Sequence, residues 1–315
     1  MDTERFILAK DLKLDAEDIS IPVLDEKEKG TLVSHVEITR HIQEIEQLFQ
    51  LFRFNLKNLL HYYTLKNSDR IVRNFPFDFQ VDDGIAINAL VINFISSGKT
   101  LIESIEVCLK ESDCADAAVY AAFKAAHLSR IYDDSFSYRL LLRMRDFAQH
   151  CHLPVSIYHD NTCCFDVEQI LCTPHFSHNP ALKKQLEDIR DEIHDSFGDN
   201  ARITFTASIA EFNLQVTKLY LAFLDAIEPL LQASANAVSA LLSSRPDIVT
   251  RSKGPLNGLI LYEVDEVQVH AFHVDDDPLL TFAGYKQQAA EILLEEEIEF
   301  NDFKKSLKFI RPISN

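Results

Sequence analysis

One segment of the chain, SFSYRLLLRMRDFAQHCHLPV, combines arginine and histidine side chains at spacings that could support chemistry. A guanidinium binds phosphate through two parallel hydrogen bonds and stays protonated, whereas an imidazole accepts or releases a proton near neutral pH. Together, these groups suit a site that binds a phosphodiester and transfers protons on it. The basic residues of the segment are Arg139, Arg143, Arg145, His150 and His152.

The same segment has the pattern of an amphipathic helix. A helix turns about 100° per residue, so apolar residues three or four positions apart share one face. We expect Asp134 or Ser135 to cap this helix and Pro154 to end it near His152, because the residue before a proline avoids the helical conformation. The apolar stripe consists of Leu140, Met144, Phe147 and Cys151.

The string RDFAQH, residues 145–150, resembles the Arg-x4–6-His motif of HEPN (higher eukaryote and prokaryote nucleotide-binding) domains. The longer string YRLLLRMRDFAQHCHLPV resembles a group of bacterial proteins in which an upstream helix carries two asparagines, as Asn88 and Asn93 do in INALVINF. HEPN domains are helical bundles, and many are metal-independent RNases of toxin, abortive-infection and CRISPR systems. The resemblance covers about residues 30 to 175.

The resemblance implies a role for each residue of the segment. Arg145 would hold the scissile phosphate, Asp146 would orient a histidine, and His150 would act as general acid or base. Arg145 and His150 lie about 140° apart on a helix, whereas Arg145 and His152 align better, so His152 is an alternative proton carrier. The expected substrate-binding residues are Arg139, Arg143, Gln149, Asn88 and Asn93. HEPN nucleases usually pair two motifs across a dimer, which implies a homodimer and RNA as substrate, with no cofactor and no metal.

Composition places the chain among soluble globular proteins of mainly α class. It has 315 residues, 47% hydrophobic residues and only seven glycines, which argues against a glycine-rich nucleotide loop. A formal net charge of -18 disfavours tight non-specific binding to nucleic acid, but a local basic cleft remains compatible with it. The N-terminus lacks the basic start of a signal peptide and no apolar stretch approaches about 20 residues, so we expect a cytoplasmic protein without a membrane span.

Metal binding is disfavoured by the cysteine pattern. The six cysteines form no spaced framework, and we expect them to be reduced. Cys172, His175 and His178 recur at intervals of three, but without a CxxC pair a zinc site is the weaker interpretation. A metal-dependent hydrolase is a third possibility, but no HExxH motif supports it.

Four regions are expected along the chain: an N-terminal arm or strand at 1–30, a HEPN-like helical bundle at 31–178, a long-helix extension at 179–244 and a small α+β module at 245–315. Periodicity predicts helices at about 32–65, 83–111, 113–132, 135–152 and 179–197. A very long helix from about 203 should kink or split at Pro229. Strands are predicted in VSIYHDN, CFDVEQILC, LILYEVD and VQVHAFH, and a final helix at about 285–297.

Two functional interpretations of the chain remain open. The first is a metal-independent endoribonuclease of the HEPN type with a toxin or anti-phage defence role. The second is a non-catalytic helical module that binds or senses another protein, which an acidic surface would suit. Mutation of Arg145 or His150 separates them, because only an RNase would lose an activity while keeping its fold.

Overall fold

The computed structural model describes residues 5–9, 24–67, 82–111, 117–150, 152–157, 162–173, 179–197, 201–245, 259–264, 269–274 and 278–307. Most of these residues lie in helices, so the mainly α class is confirmed. The α-helices are α1 (Glu26–Asn67), α2 (Asp83–Glu111), α3 (Ala117–Phe123), α4 (Arg130–Asp134), α5 (Phe136–His150), α6 (Val167–Leu171), α7 (Pro180–Phe197), α8 (Phe205–Ser244) and α9 (Pro278–Leu307), and a π-helical stretch, Lys124–Ser129, joins α3 to α4.

Helix α1 starts earlier than its apolar periodicity suggests, inside the region expected to be an arm. The Glu28 amide donates to the Asp25 carboxylate at 2.8 Å, and the Asp25 amide donates to the Glu28 carboxylate at 2.9 Å. This reciprocal capping satisfies amide groups that have no partner within the helix. Capping by side chains, rather than the apolar pattern, therefore sets where α1 begins.

Two small antiparallel sheets accompany the helices. One has the strand order β1-β5-β6, from β1 (Arg5–Ala9), β5 (Leu259–Val264) and β6 (Val269–Val274). The other has the order β2-β3-β4, from β2 (Ser156–Ile157), β3 (Cys163–Asp166) and β4 (Arg202–Thr204). The predicted pairing of the two C-terminal strands is thus present, with a third strand from the N-terminal region.

The strand predicted across CFDVEQILC is wrong in its second half. Only Cys163–Asp166 is extended, and Val167–Leu171 forms α6. The Asp166 carboxylate accepts a hydrogen bond from the Gln169 amide at 3.0 Å, as an N-cap does. A single capping side chain therefore converts an apolar, strand-like stretch into a helical turn.

The chain forms two compact units, and both are built from separate stretches of sequence. The first contains described residues of Met1–Glu46, Glu106–Ala122 and Leu221–Ala289. The second contains described residues of Gln47–Ile105, Phe123–Tyr220 and Ala290–Asn315. Helices α1, α2, α8 and α9 each contribute residues to both units.

The first unit has its own apolar core and a polar pair beside it. The buried core residues are Leu24, Leu32, Val238, Leu242 and Val274. Arg245, which follows α8, forms an ion pair with Glu28 of α1 at 2.6 Å. These contacts join the start of α1 to the end of α8.

Aromatic rings form the core of the second unit, around a glycine in α2. The Phe52, Phe94 and Phe212 ring centroids lie 5.0 to 6.3 Å apart, and the Tyr138 ring stacks on Phe212 at 5.8 Å. A Cβ on Gly98 would lie 2.8 Å from Phe212 Cε1, which is too close for two carbon atoms. The absent side chain therefore allows α2 to approach α8 closely.

The second unit also buries a carboxylate. Glu296 of α9 is buried and forms an ion pair with Arg53 of α1. Burial raises the pKa of the Glu296 carboxyl group, and the positive charge of Arg53 opposes that rise. The protonation state of Glu296 is therefore coupled to folding.

Several helices depart from the sequence expectations. The helix predicted at 113–132 is divided into α3, a π-helical stretch and α4, and the one predicted at about 285–297 extends over Pro278–Leu307 as α9. Helix α8 continues through Pro229, which is exposed, so the predicted split does not occur. Within α2, the segment Asp83–Lys110 is long and apolar enough to cross a membrane by length and composition, which was not expected. Half of its most apolar window is buried inside the protein, and the core helix of a soluble protein has the same properties.

Candidate functional site

The N-terminus of α5 is fixed by hydroxyl groups and a carboxylate. The Ser135 hydroxyl accepts from the Tyr138 amide at 3.1 Å, which makes Ser135 the cap. The Ser135 and Ser137 hydroxyls also donate to the two carboxylate oxygens of Glu211 in α8, at 2.8 and 2.6 Å. The direction of α5 is thereby tied to α8 at its first turn.

The apolar face of α5 is buried as its spacing predicts. Burying this stripe holds α5 in the core of the second unit and leaves its flanks facing other groups. Cys151, the last residue of the predicted stripe, lies outside the described residues. The buried members are Leu140, Leu141, Met144 and Phe147.

Arg139 serves the fold rather than a ligand. Its guanidinium is buried and donates to the backbone carbonyls of Tyr132 and Asp133 at the end of α4. It also donates to the side-chain oxygen of Gln185 in α7 at 2.9 Å. The guanidinium N–H groups that were expected to bind a substrate therefore donate to these groups of the protein.

Three cations converge on one carboxylate in the last turns of α5. Lys99 of α2 reaches Asp146 at 3.0 Å, and Arg143 and Arg145 each reach it at 3.7 Å. Asp146 was expected to orient a histidine, but its contacts among the described residues are with these cations. We call Lys99, Arg143, Arg145 and Asp146 the cation cluster.

Lys99 is the member that sequence reasoning missed. It follows Gly98 in a mostly apolar helix, and a lone lysine at such a position gives a weak signal on its own. Gly98 packs against Phe212 and Phe52, and the next residue, Lys99, lies beside Asp146 of α5. Lys99 has a second, longer contact with Glu103 at 4.0 Å.

Arg145 has donor capacity that the described residues leave unused. Its Nε atom is buried and has no hydrogen-bond partner among them. Its side chain as a whole is 31% exposed. A buried donor without a partner costs free energy.

The histidines lie where α5 ends. The helix ends at His150, two residues before the predicted end, and the side chain of His150 lies outside the described structure. His152 is exposed, and its ring centroid lies 6.1 Å from that of Phe147. Gln149 is also exposed. His152 and Gln149 are therefore open to solvent at the same end of α5.

The two asparagines differ in their surroundings. Asn88 is buried, its side-chain oxygen accepts from the Val155 amide at 2.7 Å, and its nitrogen donates to the Val155 carbonyl at 2.9 Å. Asn93 is exposed, and its backbone carbonyl accepts from the Asn55 side-chain amide at 3.5 Å. Asn88 thus fixes the chain just after Pro154, and the structure does not bring Asn93 to that point.

A pocket of about 490 Å³ opens beside the hydrogen bonds between Asn88 and Val155, which we call the Asn88 clamp. Its acidic rim is unsuited to a phosphate, because Asp82 and Asp83 would repel it. The Tyr62 hydroxyl donates to Asp83 at 2.8 Å, and burial together with this hydrogen bond raises the pKa of the Tyr62 phenol. The pocket is lined by Asp82, Asp83, Gly84, Ile85, Asn88, Leu153, Val155 and Ile157.

Within the described part of the chain, no group of three or more His, Cys, Asp or Glu side chains is placed to hold a metal ion. His175 and His178 lie outside that part of the chain, and Cys172 is exposed and unpaired with another cysteine.

Comparison with known proteins found no matching family model, no matching curated protein and no matching solved structure.

Proposed function

We propose that the chain is a metal-independent endoribonuclease of the HEPN type, acting at the C-terminal end of α5. The observation that supports this most is the cation cluster, in which Lys99, Arg143 and Arg145 gather within two turns of His150. On a chain with a formal net charge of -18, such a concentration of cations favours a ligand with negative charge. The RDFAQH motif adds the resemblance in sequence.

The reaction requires two proton transfers and stabilisation of negative charge. A base removes the proton of a ribose 2′-hydroxyl, whose oxygen attacks the adjacent phosphorus. The new P–O2′ bond forms as the P–O5′ bond breaks, and an acid protonates the leaving 5′-oxygen. The products are a 2′,3′-cyclic phosphate and a free 5′-hydroxyl, and no metal or redox partner enters the balance.

Each residue has a role in this proposal. Arg145 binds the scissile phosphate and stabilises the charge of the phosphorane, because guanidinium groups remain protonated. His150 or His152 transfers the protons, since the pKa of a histidine lies near neutral pH. The reaction needs one group that accepts a proton and another that donates one. If each chain places a single histidine at the site, a homodimer would supply the second histidine.

A non-catalytic binding module is the second candidate, and one observation favours it. Lys99, Arg143 and Arg145 already contact the Asp146 carboxylate within 4.0 Å. In this second candidate, the ion pairs are structural: they join α2 to α5 and bind no ligand. In that case the acidic surface would bind a protein partner and no RNA would be cut.

Cleavage of a fluorescently labelled RNA in the presence of EDTA separates the two candidates. We expect the wild type to cut it, and Arg145→Gln, His150→Ala and His152→Ala to identify the phosphate-binding and proton-transferring groups. Arg130→Gln is the matched control, because Arg130 is 76% exposed and pairs only weakly with Asp134. Absence of cleavage by the wild type, or full activity of Arg145→Gln, would contradict the nuclease proposal.

A further inference from the structure

The Asp146 carboxylate occupies the position that an incoming anion would need. It lies 3.0 Å from Lys99 Nζ and 3.7 Å from a guanidinium nitrogen of both Arg143 and Arg145. Three positive charges around one negative charge leave an excess of two. Glu103, at 4.0 Å from Lys99, reduces this excess but is 61% exposed. The cluster is therefore not neutralised by its resident carboxylate.

The contacts of the two arginines with Asp146 are loose. Hydrogen bonds between a charged nitrogen and a charged oxygen are normally about 2.7–2.9 Å long, so only the Lys99 contact is close to that range. Asp146 is 31% exposed, and Arg143 is 42% exposed, so solvent and solutes reach both. Arg145 Nε is buried and has no partner among the described residues, so Asp146 does not satisfy all the donors of this guanidinium.

We propose that Asp146 is an intramolecular competitor for a phosphodiester-binding site formed by Lys99, Arg143 and Arg145. In the empty site the carboxylate neutralises part of the cluster and keeps α2 and α5 together. A phosphate group of a nucleic acid strand displaces it and takes the donors of Arg143, Arg145 and Lys99. Asp146 thus limits how tightly the strand binds, and Lys99 is a phosphate-binding residue contributed by α2.

This inference rests on the proposed function for its ligand, but binding can be tested apart from cleavage. Single-stranded DNA carries the same phosphodiesters and lacks the 2′-hydroxyl, so it binds without being cut. The test measures the Kd of a fluorescein-labelled DNA octamer by anisotropy for the full-length chain, at several salt concentrations. Inorganic phosphate serves as a competitor, and circular dichroism with thermal unfolding shows whether each variant is folded.

Two variants change the cluster in opposite directions. Removing one unit charge close to the bound anion changes affinity by about three- to tenfold. We expect Asp146→Asn to tighten DNA binding by that factor and Lys99→Met to weaken it by a similar one. Asp134→Asn, which removes an exposed carboxylate paired with Arg130, is the charge-matched control and should change Kd by less than about twofold.

Two results of the Kd measurements would contradict the inference. An unchanged or weaker Kd for folded Asp146→Asn would overturn the competitor role and leave Asp146 as a structural anchor. If Asp146→Asn does not fold, an unchanged Kd in Lys99→Met would overturn the site itself. If DNA binding follows the expected pattern but RNA is not cleaved, this inference stands and the nuclease proposal is wrong. If RNA is cleaved but Asp146→Asn leaves the Kd for DNA unchanged, the nuclease proposal stands and this inference is wrong.

Discussion

Replacing Gly98 by alanine tests the close packing of α2, the helix that carries Lys99, in the second unit. A Cβ at this position would lie 2.8 and 3.1 Å from two ring carbons of Phe212 and 3.1 Å from one of Phe52. Both rings are fully buried and pack on further aromatic rings, so neither can move without disturbing its neighbours. Overpacking of this kind costs about 1–3 kcal/mol.

Alanine also has an intrinsic advantage over glycine in a helix, of about 1 kcal/mol, which opposes this cost. We therefore expect Gly98→Ala to lower the free energy of unfolding by up to about 2 kcal/mol. Gly284→Ala is the matched control, because Gly284 also lies in a helix and a Cβ there would have no atom within 4 Å. That variant should be as stable as the wild type or more stable.

Urea denaturation followed by circular dichroism measures both variants against the wild type. A midpoint for Gly98→Ala that rises as much as that for Gly284→Ala would refute the close approach of α2 and α8.

Three further predictions concern buried polar groups. Arg139→Met should lower stability by about 2–4 kcal/mol in urea denaturation, because backbone carbonyls at the end of α4 lose their buried donor. Asn88→Ala should lower it by a similar amount and speed hydrogen exchange at the Val155 amide, and unchanged exchange would show that this clamp is unimportant. Burial raises the pKa of Glu296, so its contribution to stability is complete below the unfolded value of 4.5 and is lost as pH rises through the folded value. Glu296 should therefore lower the urea midpoint as pH rises above 4.5, so over that range the midpoint of Glu296→Gln should fall less, or rise more, than that of the wild type; equal slopes would contradict the assignment.

Helical periodicity predicted the packing of α5 correctly because burial depends on which residues share a face. Leu140, Met144 and Phe147 are all buried, as their spacing requires. The same logic located the helices now seen as α1, α2 and α7 to within a few residues, apart from the start of α1. Local sequence carries this information, since neighbours on a helix face are three or four residues apart.

Capping set the boundaries that periodicity missed. The start of α1 depends on the mutual hydrogen bonds of Asp25 and Glu28, and α6 depends on Asp166. Both involve acids that precede or begin a helix, which is a recognised sequence signal for a helix start. These boundaries could have been predicted by giving caps more weight than apolar runs.

The partners of the charged residues could not be predicted from sequence. Arg139 and Arg143 look equivalent on a helical projection, yet one is buried against backbone carbonyls and the other lies in the cation cluster. The difference arises from which helices pack beside α5, and Lys99 is 47 residues away from Asp146 in the chain. Long-range packing decides such contacts, and a single sequence does not record it.

The chemical nature of the products tests the nuclease proposal most directly. Wild-type protein and Arg145→Gln would be incubated with a 5′-labelled RNA in EDTA, and the new 3′ ends identified by mass spectrometry. We expect the wild type to produce 2′,3′-cyclic phosphates and Arg145→Gln to produce none above background. Intact RNA with the wild type, or the same cyclic ends with both proteins, would contradict a phosphodiester-cleaving role for the end of α5.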